Sequence, residues 1–272
     1  MQKFKHPPLF EKEGEALMTG IKAEDVARYV LFVVRDPLGF EKDAAEVVAA
    51  YLDNAKLIAD TKMFITYTGS YKDTPVTVCS TGSGAPDTEL ALSDFIRFTK
   101  SDTFIRLGTS GTYRGDVNVG DLVIAEGAVR DEGCTQSYVK TIYPAVSDYW
   151  VTTTLLTAAK QLGYAHHLGI TLSTDSIYCG QGRPLADYVQ EEHKQIPEYW
   201  KRAGILNFER ETSCILTISR LLKKRGGALN VVVNNMETGV LDPGAGAEES
   251  ILTTLEGVHL LAGLDEVNET QK

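Results

Sequence analysis

The stretch Thr103-Phe104-Ile105-Arg106-Leu107-Gly108-Thr109-Ser110-Gly111 passes from an apolar run of strand length into a loop-like Gly-Thr-Ser-Gly sequence. In open α/β sheets ligands gather at the carboxyl ends of strands, where glycines let backbone N–H groups approach an anion. Arg106 adds a fork that matches an oxyanion, and Thr109 and Ser110 add hydroxyl donors. A plainer reading is a glycine turn with Arg106 in a surface ion pair. The stretch therefore has to be weighed with what lies around it.

Upstream, residues 30–34 (Val-Leu-Phe-Val-Val) form a second continuous apolar run, ended by Arg35-Asp36-Pro37-Leu38-Gly39. Residues 40–58 carry Ala44, Val47, Val48, Tyr51 and Leu52 at helical spacing, which predicts one helix. Residues 63–67 and 75–80 read as paired strands joined through Gly69-Ser70. The loop Thr81-Gly82-Ser83-Gly84-Ala85-Pro86 leads into a helix over residues 87–99. Downstream, residues 121–125 and 169–173 read as strands with a helix over 152–162 between them. A helical pattern at 211–223 precedes a Val-rich strand at 229–233. Buried-type strands alternating with helices predict an α/β fold, a single three-layer αβα domain around a mixed, largely parallel central sheet. Residues 1–20, with Pro7-Pro8 and mixed Glu and Lys, read as an N-terminal arm, and residues 21–272 as the domain.

Composition narrows the function. A formal net charge of −10 argues against a nucleic-acid partner, since phosphate backbones need a basic face. It leaves room for small anions bound by local arginines. No apolar stretch approaches the roughly 20 residues of a bilayer span, and Met1 to Pro8 lacks the apolar core of a secretory signal, so no membrane partner and a cytoplasmic location are expected. Cys79, Cys134, Cys179 and Cys214 are widely spaced, which predicts free buried thiols and no zinc site.

Two further segments carry chemistry. In Tyr178-Cys179-Gly180-Gln181-Gly182-Arg183, the Gln181 amide both donates and accepts, so it can read an imide edge such as O4/N3–H of uracil, and Arg183 can donate to a carbonyl oxygen beside it. A polar loop with Arg183 paired to Asp187 is the alternative. In Asn207-Phe208-Glu209-Arg210-Glu211, the two glutamates share one side of an extended segment and suit ribose hydroxyls. Acidic charge at a helix N-terminus is the alternative.

Taken in order, Arg-x-Gly-Thr-x-Gly at 106–111, Asp-x-x-Tyr-x-Gly-Gln-x-Arg at 175–183 and Asn-Phe-Glu-x-Glu at 207–211 resemble the uridine phosphorylase branch of the nucleoside phosphorylase superfamily. Val78-Cys-Ser-Thr-Gly-Ser-Gly84, Asn118-Val-Gly-Asp-Leu-Val123, Tyr143-Pro-Ala-Val-Ser-Asp148 and Val231-Val-Val-Asn234 extend the likeness over residues 20 to 262. The resemblance implies phosphorolysis of a pyrimidine nucleoside to base and ribose 1-phosphate, with inorganic phosphate as co-substrate and no other cofactor. It also implies a homodimer or homohexamer that shares its sites between subunits.

By the same resemblance Arg106 and Thr109 meet phosphate, with Thr109 also near the ribose, and Gln181 and Arg183 read the base. Glu211 holds ribose hydroxyls, with Glu209 in the same segment; Arg106, Thr109 and Glu211 are the implied catalytic set. The chain departs from the family at several positions. Arg35 replaces the glycine, and Gly39 the arginine, of the family's Gly-Asp-Pro-x-Arg phosphate loop. Arg35 is expected to serve as a relocated phosphate ligand. Lys62 stands for the arginine lent by the neighbouring subunit, Met18 for its histidine and Arg210 for a ribose-packing methionine. Ile177 stands for the aromatic residue that stacks on the base, and Asn235 for a supporting arginine. These changes leave three other readings open: a nucleosidase using water, a phosphorylase of another nucleoside, and a catalytically weak nucleoside-binding homologue.

Overall fold

The computed structural model describes residues 11, 12, 15–35 and 42–270. Gly39 and the rest of residues 36–41 lie outside it, as does most of the expected arm. In chain order the strands are β1 (Glu11–Lys12), β2 (Glu15–Ala16), β3 (Tyr29–Val34), β4 (Asp53–Asp60), β5 (Ile65–Tyr71), β6 (Thr74–Thr81), β7 (Thr103–Thr112), β8 (Leu122–Asp131), β9 (Ala145–Val146), β10 (His166–Thr174), β11 (Asn207–Glu209), β12 (Arg225–Asn235) and β13 (Val240–Leu241). The helices are α1 (Ala44–Ala49), α2 (Ala85–Phe98), α3 (Tyr149–Leu162), α4 (Glu191–Arg202), α5 (Thr212–Leu221) and α6 (Ala247–Thr270). None of the described helices is long and apolar enough to cross a membrane.

The main sheet runs β13-β12-β8-β10-β11-β7-β3-β6-β5-β4, and β12 also pairs with β7. That extra pairing closes β7, β12, β8, β10 and β11 into a ring. β3 joins β6 and β7 in parallel, as β10 joins β8 and β12 joins β7, whereas β4, β5 and β6 are antiparallel. The sheet is mixed, as expected. Alternate residues of β3 enter different cores. Leu31 and Val33 pack with α1, α3 and α6 side chains such as Val48, Leu155 and Leu255. Val30 and Phe32 pack with Phe95 of α2 and Ile218 of α5. Helices thus cover both faces, and period-2 burial on both sides explains the continuous apolar run at 30–34.

Several local expectations change. The helix expected over 40–58 holds only for α1, capped by the Asp43 carboxylate on the Ala45 N–H. Residues 53–60 instead form β4, an edge strand with Asp53, Lys56 and Asp60 exposed, because backbone pairing with β5 outweighs a weak helical pattern. The β5–β6 turn is not Gly69-Ser70 but Lys72-Asp73, both at positive φ, as a tight hairpin turn requires. Residues 16–20 are not wholly an arm: Ala16 and Thr19 are buried, and Asp94 of α2 accepts both the N–H and the hydroxyl of Thr19 at 3.0 Å. Of the four free cysteines, Cys79 and Cys214 are buried while Cys134 and Cys179 are partly exposed. Helices α4 and α6 lie beyond what the sequence patterns above anticipated, although Ile251, Leu255, Val258 and Leu261 mark a buried helical stripe.

Candidate active site

The expected loop at 108–111 is strand. β7 continues to Thr112 because β12 pairs with it throughout, Arg106 opposite Ala228 and Thr112 opposite Asn235. Its glycines serve close approach rather than turning. Gly108 lies two residues along from Arg106, on the same face, and a Cβ there would stand 2.5 Å from the guanidinium folded over it. A Cβ on Gly111 would stand 2.4 Å from the ring Cζ of Phe208, its partner on β11.

A cleft of about 390 Å³ opens where these strands end. Its floor is an ion triad. Arg106 is 3% exposed; its Nε lies 2.8 Å from Glu209 Oε2 and its Nη2 2.7 Å from Glu211 Oε2. Nη1 donates to Asn230 Oδ1, and Nη2 also donates to the Thr109 carbonyl at 3.2 Å. Glu209 accepts the Ser173 hydroxyl and the N–H groups of Glu211 and Thr212, so it also caps α5. Burial pushes its carboxyl above the ordinary value, against the pull of Arg106. Glu211 accepts the Gly84 N–H at 2.6 Å, tying the turn after β6 to the same triad. The two glutamates therefore combine both sequence readings, facing the cleft while one of them caps a helix. Arg106 is no surface ion pair.

The other end of the cleft holds Gln181 and Arg183. Gln181 is buried within a 3₁₀ turn, Cys179–Gln181, and lines the cleft. Gly182, at φ 71°, lets α4 press close, since a Cβ there would meet Pro197 Cδ at 2.8 Å. Arg183 donates to Asn234 Oδ1 at 2.6 Å and lies 5.6 Å from the centroid of the Phe208 ring, so it is held by Asn234 and not by Asp187. Burial draws its pKa down from the ordinary value. Tyr113 packs 4.3 Å behind Phe208, centroid to centroid. Ile177, 41% exposed, lines the same end.

Thr109, Glu209, Arg210 and Glu211 all line the cleft. Arg35 and Lys62 do not. Arg35 Nε is 2.7 Å from Asp43 Oδ2, on the residue that caps α1, and Nη1 donates to the Lys62 carbonyl. Lys62 sits exposed on the β4–β5 turn at φ 66°. Met18 packs against the core beside α2. Asn235 is buried away from the cleft lining, donating to the Arg114 and Val117 carbonyls. Sequence reasoning did not single out Asn230, Ser173, Phe208 or Ser83. Only their strand neighbours in space bring them here, although Ser83 and Phe208 lie inside quoted motifs. Among the described residues no group of three or more His, Cys, Asp or Glu could hold a metal ion.

Comparison with known proteins accords with this arrangement. The family model described as the phosphorylase superfamily matches residues 30–258. A uridine phosphorylase of Thermococcus kodakarensis is 38% identical over 259 residues, covering 95% of this chain and 91% of that protein. A uridine phosphorylase of Escherichia coli is 34% identical over 229 residues, 83% of this chain and 88% of that protein. A guanosine phosphorylase of Halorubrum lacusprofundi is 32% identical over 192 residues, 71% of this chain and 74% of that protein. A family model that spans residues 30–258 and identity along nearly the whole length have one common source: the chain belongs to the phosphorylase superfamily, in its nucleoside phosphorylase branch.

Proposed function

We propose that the protein catalyses the reversible phosphorolysis of uridine to uracil and ribose 1-phosphate. The observation that carries this reading is that Gln181 and Arg183 line one cleft together with the Arg106 triad. An amide offers the acceptor and donors that an imide edge needs. Glu211 uses some of its lone pairs on Arg106 and Gly84, and a carboxylate with about four acceptor sites retains room for ribose hydroxyls. A phosphate oxygen attacks C1′ while the C1′–N1 bond breaks. Positive charge developing on the sugar faces the carboxylates, and negative charge on the leaving uracil is met by Gln181 and Arg183. Donors aimed where charge develops lower the barrier without reorganisation. Phosphate is the co-substrate and no further cofactor is drawn into the reaction. We place Lys62 at a neighbouring copy's site in a homodimer or homohexamer.

The test is uracil release from uridine with and without phosphate. Release that depends on phosphate, with ribose 1-phosphate formed in equal amount, is expected. Release at the same rate in phosphate-free buffer would instead mean a nucleosidase, and binding without turnover a weak homologue.

Gly111→Ala tests the base end. The added methyl displaces Phe208, on which Arg183 rests, and overpacking of this kind costs about 1–3 kcal/mol. The uridine KM should rise by roughly 5- to 50-fold at about 1–2.3 kcal/mol of lost binding, while the phosphate KM stays put. Unchanged uridine KM in a folded variant would detach Phe208 and Arg183 from the base.

A further inference from the structure

Three arginines line the described cleft, and they differ in what holds them. Arg106 lies between two carboxylates. Arg183 is bonded to Asn234 and rests on Phe208. Arg210 Nη1 donates to the neutral hydroxyl of Ser83 at 2.8 Å, while its Nε is buried with no hydrogen-bond partner. A desolvated guanidinium N–H without an acceptor costs free energy and marks a place where one is missing.

The position of Arg210 says which acceptor. Val34, at the end of β3, and Ser83, after β6, lie on one side of β7, while Gln181, after β10, and Asn234, at the end of β12, lie on the other. Arg210 reaches the first side, its Nη2 3.1 Å from where a Cβ on Gly84 would stand. That side meets the triad, because Gly84 donates its N–H to Glu211, which accepts from Arg106. The triad there sets one guanidinium against two carboxylates, so it offers a dianion no surplus of positive charge. Arg35 is bound to Asp43 instead of the cleft.

We propose that Arg210 joins Arg106 in holding the phosphate co-substrate and supplies the surplus positive charge that the triad lacks, with Ser83 positioning its fork. The proposal rests on the phosphorolysis reading and assigns Arg210 to phosphate rather than to the sugar. A phosphate dianion in the cleft supplies the missing acceptor once the guanidinium turns its Nε edge outward about the Ser83 contact, in the bidentate geometry that a guanidinium favours.

The test uses Arg210→Met, Arg210→Lys and the natural protein, each checked for an unchanged thermal transition. Inorganic phosphate binding is measured by calorimetry without nucleoside, and initial rates are measured against phosphate and against uridine. Arg210→Met should weaken phosphate binding and raise the phosphate KM by at least about tenfold, the effect of about 1.4 kcal/mol, with the uridine KM within about threefold. Arg210→Lys should recover part of the loss, because it keeps the charge but not the fork. Phosphate affinity unchanged in Arg210→Met would overturn the proposal, as would a rise confined to the uridine KM or absence of phosphate binding by the natural protein. Phosphate binding lost in Arg210→Met while neither protein cleaves uridine would sink the substrate reading and leave the phosphate site standing.

Discussion

Replacing Arg106 by alanine should destabilise the protein by about 3–5 kcal/mol, because it strands carboxylates in the interior. Arg106 is 3% exposed and separates Glu209 from Glu211 at 2.8 and 2.7 Å. Removing it leaves Glu209, whose carboxyl burial already pushes upward, without the cation that opposes that push. Chemical denaturation reads the loss directly. A double variant, Arg106→Ala with Glu209→Gln, should regain part of it, since the amide removes one of the two carboxylates left without a cation in the interior. If Arg106→Ala unfolds at the same denaturant concentration as the natural protein, the triad is not the buried ion pair described above. In the fraction that folds, kcat/KM for phosphate should fall at least about tenfold, as the loss of a charge-assisted bond of roughly 1.5–3 kcal/mol implies. Stability and phosphate kinetics thus test the structural and the chemical role of one residue separately.

Uridine should be preferred over inosine or adenosine by about a hundredfold or more in kcat/KM, as befits a site built to hydrogen-bond one substrate edge. The residues after the Val-rich strand decide this. Asn234 holds Arg183, and Asn235 is buried with its amide donating to two main-chain carbonyls, so neither presents a carboxyl to protonate a purine N7. Gln181 and Arg183 remain as the polar groups at that end, and they match an imide. The guanosine phosphorylase among the relatives makes the comparison informative. Side-by-side rates with uridine, inosine, guanosine and adenosine check the expectation, and comparable turnover of inosine or guanosine would defeat it.

By itself the sequence determined the α/β class, the strands at 30–34, 103–107 and 229–233, and the three motifs that meet in the cleft. These are the places where local and global preference agree. Strands buried on both faces read as unbroken apolar runs, and close-approach glycines beside an arginine survive translation into structure. Tertiary structure decided the rest. Residues 53–60 became an edge strand because β5 offered them backbone partners. Gly108 and Gly111 became strand residues because β12 paired with them and the Arg106 and Phe208 side chains needed their space. Ser173, Asn230, Ser83 and Asn234 entered the site from strands or turns far away in the chain, through hydrogen bonds that no spacing rule encodes. Arg35 shows the limit most clearly. Its charge and its place after a strand are visible in the text, but the direction of a long side chain depends on which carboxylate the fold brings near it, and here that is Asp43.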